Sequence, residues 1–454
     1  MLQTHKISKS LYIRGIQCIK SLYLHKNRPF LRDRLKAEQR AKFERGHAIG
    51  ILAHQLFPGG LNLAPKSPSQ YKQAVIKTAE AIAAGTKIIY EASFQHQQSL
   101  IILDILQKKD DKIMAFEVKS SIAITETYIQ DAAFQYWVMT QSGVIPDDFF
   151  LVTVNPEYVH KAPLDPQQYF IITSLLDQIL PLQETIQPRI DHFLHVLEAP
   201  HSPKVKIGRQ CTHPYPCDFQ GLCWKKVPIP SIFNLNFFTP EEKFQRYHQG
   251  YETPEQLMKY DGLSDDQQWE IDQYMAGGLS ISDTLRKRIS DTLPLLFVDT
   301  LKPAIPLFEG MKPYEEIITL AAIRKNNQGR FHLFSHPEEG KIFLKTLEEK
   351  AMQCLTFSTL PCHNTPHLTI SALQQAKQLY LPESGNKTSI REMAQLLYGK
   401  SNRNEKQMDT LEAGQLWLRL REESLPEEDR KQIKEKLNAY SLWHLNALGR
   451  LEEV

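Results

Sequence analysis

A chain of 454 residues, 42% hydrophobic and 23% charged, is long enough for two or three domains with separate cores, and its composition is that of a soluble globular protein. No apolar run reaches bilayer-spanning length, and the opening MLQTHKISKS lacks a signal-peptide core, which predicts a cytoplasmic protein with no membrane partner. The net charge of +2 hides an asymmetry: residues 1–50 hold twelve Lys or Arg against three acids, so the rest of the chain carries seven net negative charges. A basic end suits a phosphate backbone, as it also suits a solvated helix surface.

In chain order, SKSLYIRGIQCIKSLYLHKNRPF reads as a helix that starts at a Ser cap and contains Cys18. AEQRAKFERGHAIGILAHQLFPGG reads as a second helix that ends at the Pro-Gly-Gly turn, with His47 and His54 seven apart on one face. A further helix, a Gly break and a strand bearing Glu91 follow. LIILDIL and IMAFEV have strand length and β-branched or aromatic content, and the polar turn QKKDDK between them predicts a hairpin.

The hairpin carries charge where packing gives no reason for it. Asp104 stands inside the first run, and Glu117 and Lys119, two apart at the end of the second, leave the same face of a strand. A lone Glu-x-Lys is usually a surface ion pair. Here Glu91, Asp104 and Glu117 recur at intervals of thirteen residues on successive strands. That set suits metal-assisted phosphodiester hydrolysis. Asp104 and Glu117 offer hard oxygen ligands to Mg²⁺ or Mn²⁺, which polarises a phosphate and lowers the pKa of water. Lys119 then orients the water or neutralises developing charge.

TETYIQDAAFQYWVMTQSGV predicts the next helix, DDFFLVTVNPEYV a strand pair or a strand and turn, and ITSLLDQILPLQETIQPRIDHFLHVLEA a long helix interrupted at its prolines. In IGRQCTHPYPCDFQGLCWKKVP, Cys211, Cys217 and Cys223 fall within thirteen residues, and the chain has only six cysteines. In a cytoplasmic protein such a set reads as metal before disulfide. With Cys18 as a fourth thiolate it suits a [4Fe-4S] cluster; tetrahedral zinc, with His213 in place of Cys18, is the alternative. Cys354 and Cys362 read as core or loop cysteines. Residues 229–293, with repeated Thr-Pro-Glu and Ser-Asp helix starts, predict a small helical connector. LLFVDT, IITLAAI and RFHLFS then open a last domain with strands.

The order Glu91, Asp104, Glu117-Val118-Lys119 and a helix with Gln135 resembles the PD-(D/E)XK nucleases of the RecB and CRISPR-associated type. It looks closest to an uncharacterised bacterial family that joins such a nuclease to a C-terminal DnaQ-like domain. The resemblance is strong to about Val227 and weak beyond it. It implies an α/β protein with a restriction-endonuclease-like core and helical N-terminus (1–228), a helical connector (229–293) and a ribonuclease-H-like α/β domain (294–454). It also implies that His54, four residues after Gly50, ligates the metal with Asp104, Glu117 and the Val118 carbonyl, with His47 as the substitute for His54. Glu91 lies close by, and Gln135 positions Lys119 and the nucleic-acid strand; Gln130, four before Phe134, is the other reading of that motif. The four cysteines are implied to close the domain around the cluster.

In the last domain the resemblance leads to a first strand ending Asp-x-Glu, where this chain has Asp299-Thr300-Leu301. There is no Asp between Asp299 and Asp409, and His444 stands where the closing helix of the family carries an Asp. Four acids are needed to neutralise two Mg²⁺, so this domain reads as degenerate and non-catalytic. The sequence therefore predicts a Mg²⁺- or Mn²⁺-dependent DNA nuclease, acting on double or single strands. A silent nucleic-acid-binding or protein-interaction protein and a nuclease acting on RNA are the alternatives.

Overall fold

The computed structural model describes residues 4–34, 37–260, 262–277, 279–291, 293–325, 328–360, 367–381, 389–398 and 408–453. The protein is mixed α/β and divides into two compact units. One comprises Met1–Lys225 with Pro303–Glu315, the other Lys226–Lys302 with Glu316–Val454. Residues 229–293 thus fall in the second unit.

The first unit is built on a seven-stranded mixed sheet in the order Leu61–Asn62, Ile88–His96, Ser99–Lys109, Lys112–Val118, Asp148–Val154 and Phe170–Ser174, with Ile7–Ser8 alongside Ser99–Leu100. The central hairpin pairs antiparallel from Ile105–Phe116 to Lys109–Lys112. Lys112–Val118 pairs in parallel with Asp148–Val154 on its other side, which is why the Glu126–Gln141 helix crosses over between them.

Helices cover both faces of this sheet. On one, Ile89, Leu103, Ala115 and Leu151 pack with Leu11, Tyr12, Phe134 and Phe193; on the other, Tyr90, Ile105, Phe116 and Val152 pack with Ile49, Ala53 and Tyr169. The alternation skips at one rung. Ile89 and Ala92 face the same core with Tyr90 facing the other, and Leu103 and Leu106 face the same core with Ile105 facing the other. The register is unbroken across this rung, since Tyr90 pairs with Ile105 and Ala92 with Leu103. The residues at the skip are Glu91 and Asp104, and Glu91 adopts φ 56°. A non-glycine residue in the left-handed region inside a strand stores about 1–3 kcal/mol of strain.

Two elements differ from the sequence-based expectation. Cys18 does not continue a helix: its extended backbone (φ −165°, ψ 114°) separates Lys9–Gln17 from Ile19–Asn27. Ile172 to Ser174, expected to begin a long helix, instead end the Phe170–Ser174 strand, because Val154 to Phe150 offer an edge for it to pair with. The helix proper runs Gln183–Glu198, with Pro188 inside it.

In the second unit, the Pro240–His248, Pro254–Leu257 and Asp265–Ala276 helices each start at a capping box, with Thr239, Thr253 and Ser264 as caps. A five-stranded sheet follows in the order Gln328–Leu333, Ile317–Lys325, Leu295–Leu301, Leu355–Thr356, Leu368–Thr369, and the Glu427–Gly449 helix packs on Leu295–Leu301. Cys354 is buried in this unit, while Cys362 lies outside the described residues. Among the described residues no helix is long and apolar enough to cross a membrane.

Candidate active site and thiol cavity

The sheet forks where the acids stand. The hairpin ladder ends at Ile105–Phe116. Beyond it Asp104 stays with the Glu91 strand, whereas Glu117 and Val118 pair with Leu151 and Val152. One hydrogen bond spans the fork: the Val118 N–H donates to Asp104 Oδ2 at 2.6 Å. A cavity of ≈ 600 Å³ opens over it, lined by Glu91, Asp104, Glu117, Val118, His47 and His54, together with Lys9.

Glu117 is 1% exposed, and a single oxygen of it is held by two lysines. Oε1 accepts from Lys119 Nζ at 2.6 Å and from Lys9 Nζ at 2.8 Å. Lys119 is shared in turn with Asp131 at 2.7 Å. Glu117 Oε2 is buried without a hydrogen-bond partner. Burial and the neighbouring Glu117 charge raise the pKa of Asp104, and burial raises that of Glu91. For Glu117, burial acts upward but the two lysines outweigh it and hold the carboxylate ionised. Burial opposes the charge on Lys119, and Asp131, Glu117 and Asp104 together overcome it. Excess carboxylate with an unsatisfied buried oxygen is what a hard divalent cation relieves. Glu117 Oε2, Asp104, Glu91 and a neutral imidazole therefore fit such an ion.

His54 follows the Ala37–Ala53 helix in a single 3-10 turn and stacks on Tyr90, ring centroids 3.9 Å apart. Burial, with a contribution from His47, lowers its pKa, so a ring nitrogen is free to donate a lone pair. Gln135 lies elsewhere than expected. It is wholly buried and does not line the cavity, and its Nε2 reaches Asp131 Oδ1 at 3.5 Å, so it touches Lys119 only through Asp131. Gln130 is engaged with Glu126 and Arg189. The residues that sequence reasoning missed are Lys9 and Asp131.

Cys18, Cys211, Cys217 and Cys223 line one cavity of ≈ 20 Å³ and form no disulfide; His213 is exposed and does not line it. The break at Cys18 is what brings it to the loop 193 residues later. Burial raises the Cys18 and Cys223 thiols, and neighbouring thiols add to it. Around them Cys217 Sγ meets Ser21 Oγ at 3.6 Å, and Arg14 joins Ser21 (2.9 Å) to Asp218 (2.7 Å). Four thiols around one void form a donor set that fits a thiolate-held iron–sulfur cluster or zinc. Among the described residues no group of three or more His, Cys, Asp or Glu side chains is already arranged to hold a metal ion.

The basic N-terminal stretch is not simply a solvated face. Lys6 pairs with Glu198, Lys9 with Glu117, and Arg14 and Arg32 with Asp218. Lys42 and Arg45 lie over the rings of Tyr215 and Tyr314.

In the second unit Asp299 is 2% exposed. Burial pushes its carboxyl up to about 8, against the pull of the Thr300 amide and the Tyr440 hydroxyl; Asp409 is the acid whose charge reaches it. His444 is fully buried, stacks on Phe297 at 4.4 Å, and is lowered to about 4 by burial.

Purified anaerobically, the protein is expected to be brown and to contain iron, with the colour lost in Cys223→Ser; a colourless preparation containing zinc contradicts the cluster. Asp299 binds its proton more tightly folded (about 8) than unfolded (near 3.8), so stability falls as pH rises through that window. Below its unfolded value of 6.5, His444 acts in the opposite sense. Urea unfolding is therefore expected to show stability falling from pH 6.5 to 8, and Asp299→Asn to flatten that fall. An unchanged slope in the variant assigns it to another group.

In comparison with known proteins, no family model matches the chain and no curated protein matches it.

Proposed function

We propose that the protein is a Mg²⁺- or Mn²⁺-dependent nuclease that hydrolyses phosphodiester bonds in DNA, with a restriction-endonuclease-like core. The observation that carries this reading is the convergence of Glu91, Asp104, Glu117 and His54 on one cavity at a fork in the sheet, with Lys119 bonded to Glu117 behind it. Buried carboxylates there compete for too few cations, and Glu117 keeps one oxygen unengaged. When bound, a divalent cation supplies Lewis-acid polarisation of the phosphate and an acidified water.

The residues of the chain do the rest. Glu117, Asp104, His54 and the Val118 carbonyl would hold the ion, with Glu91 lining the same cavity. Lys119, fixed by Glu117 and Asp131, presents a cation to charge that develops at the phosphate or the attacking water. Gln135 keeps Asp131 in place. The four thiols would hold an iron–sulfur cluster on the same unit, and the last domain would contribute contacts to substrate or partner, without chemistry of its own.

Lys119→Ala is expected to lower Mn²⁺-dependent cleavage of labelled single- or double-stranded DNA by about 10²-fold or more, while DNA binding persists. Its unfolding free energy should also drop, by about 3–5 kcal/mol for a buried ion pair that loses a partner, because Asp131 is left without its lysine. Cleavage at the parental rate overturns the assignment. A parent that binds DNA without cutting it identifies a binding protein, and one that cuts only RNA reassigns the substrate.

A further inference from the structure

Lys9 begins the Lys9–Gln17 helix and Cys18 ends it. One end of this helix stands in the carboxylate cavity and the other in the thiol cavity, about 13 Å apart for nine helical residues. Both ends are gripped. At the start, Lys6 and Ile7 N–H donate to the Gln98 carbonyl at 2.8 and 3.0 Å, Ile7–Ser8 pairs with Ser99–Leu100, and Ser8 caps the first turn. At the far end, Gln17 Nε2 donates to the carbonyls of Gln210 (2.8 Å) and Tyr215 (2.7 Å), in the cysteine loop.

Its inner face is rigid as well. Tyr12 stacks on Phe134 at 4.3 Å, on the helix that carries Asp131 and Gln135. Gly15 passes Phe193 so closely that an added Cβ would lie 2.6 Å from the ring. A short helix held in this way moves as one body, because close-packed interiors transmit displacement.

We propose that Lys9 is a positioning residue for Glu117, and that the Lys9–Gln17 helix couples the group held by the cysteines to that carboxylate. Lys9 and Lys119 both occupy Oε1, which leaves Oε2 free. Loss of the group at Cys18 releases one end of the helix, and the Lys9 ammonium at the other end no longer fixes the Glu117 side chain. The consequence for catalysis rests on the metal-nuclease reading above; the mechanical link does not.

Hydrogen–deuterium exchange on the full-length protein, purified anaerobically, tests the link without relying on activity. Cys18→Ser is expected to speed exchange about fivefold or more in peptides covering residues 9–17 and also in those covering 113–119. Lys9→Met should speed exchange in 113–119 while leaving 207–223 protected, and Lys9→Arg should restore most of that protection. Adding Cys18→Ser to Lys9→Met should then change 113–119 no further. If Cys18→Ser loosens only residues 9–24, or if the two substitutions add at 113–119, the coupling is overturned. Should Cys18→Ser lose protection throughout the chain, Glu117→Gln decides: weaker protection of residues 9–17 supports the link and unchanged protection refutes it. Parental cleavage measured alongside separates the two readings, since a protein with the coupling but no nuclease activity loses only the proposed function.

Discussion

Glu117 is the residue on which the first unit depends. A carboxylate 1% exposed is tolerated only because Lys9 and Lys119 meet at one of its oxygens. That single requirement brings together three distant parts of the chain: the first helix, the central hairpin, and the crossover helix through Asp131. Replacing any one of these charges strands the others in a low-dielectric setting, so the network is held together by the cost of breaking it rather than by a large net gain. The forked sheet follows the same logic. Strands that continued to pair beyond Ile105 and Phe116 would leave the acids no cavity, and the strained Glu91 backbone lies at the rung where the facing of both strands reverses.

The thiol cavity belongs to the same frame. Cys18 is extended, which ends one helix and starts another, and so a residue near the N-terminus reaches a loop near residue 217. Gln17, bonded to the Gln210 and Tyr215 carbonyls of that loop, orients the helix that delivers Lys9. In the second unit, by contrast, Asp299 is sealed away and shares its surroundings with Tyr440 and Asp409.

Much of this was legible in the sequence, for local reasons. The hairpin announced itself through two β-rich runs around a polar turn, and the capping boxes of residues 239–267 through their Thr-Pro-Glu and Ser-Asp starts. The acids at intervals of thirteen meet because neighbouring strands of similar length return the chain to the same rung. What stayed hidden depends on partners far away. Nothing near Lys9 indicates that it will meet Glu117, 108 residues later. Asp131 begins a stretch buried without interruption to Met139, and nothing local marks it as the partner of Lys119. Gln135 was assigned by motif, but the buried helix face turns it inward to Asp131. The Phe170–Ser174 strand has an ambiguous apolar pattern and is decided by the sheet edge it completes.

The account turns on whether a divalent cation is held by Asp104 and Glu117. A crystal of the protein soaked in Mn²⁺ and measured near the manganese edge addresses this directly. The account predicts one anomalous peak in the fork, within bonding distance of both carboxylates and absent from Glu117→Gln. A soaked crystal with no peak at the fork, or with a peak that survives the substitution unchanged, contradicts it.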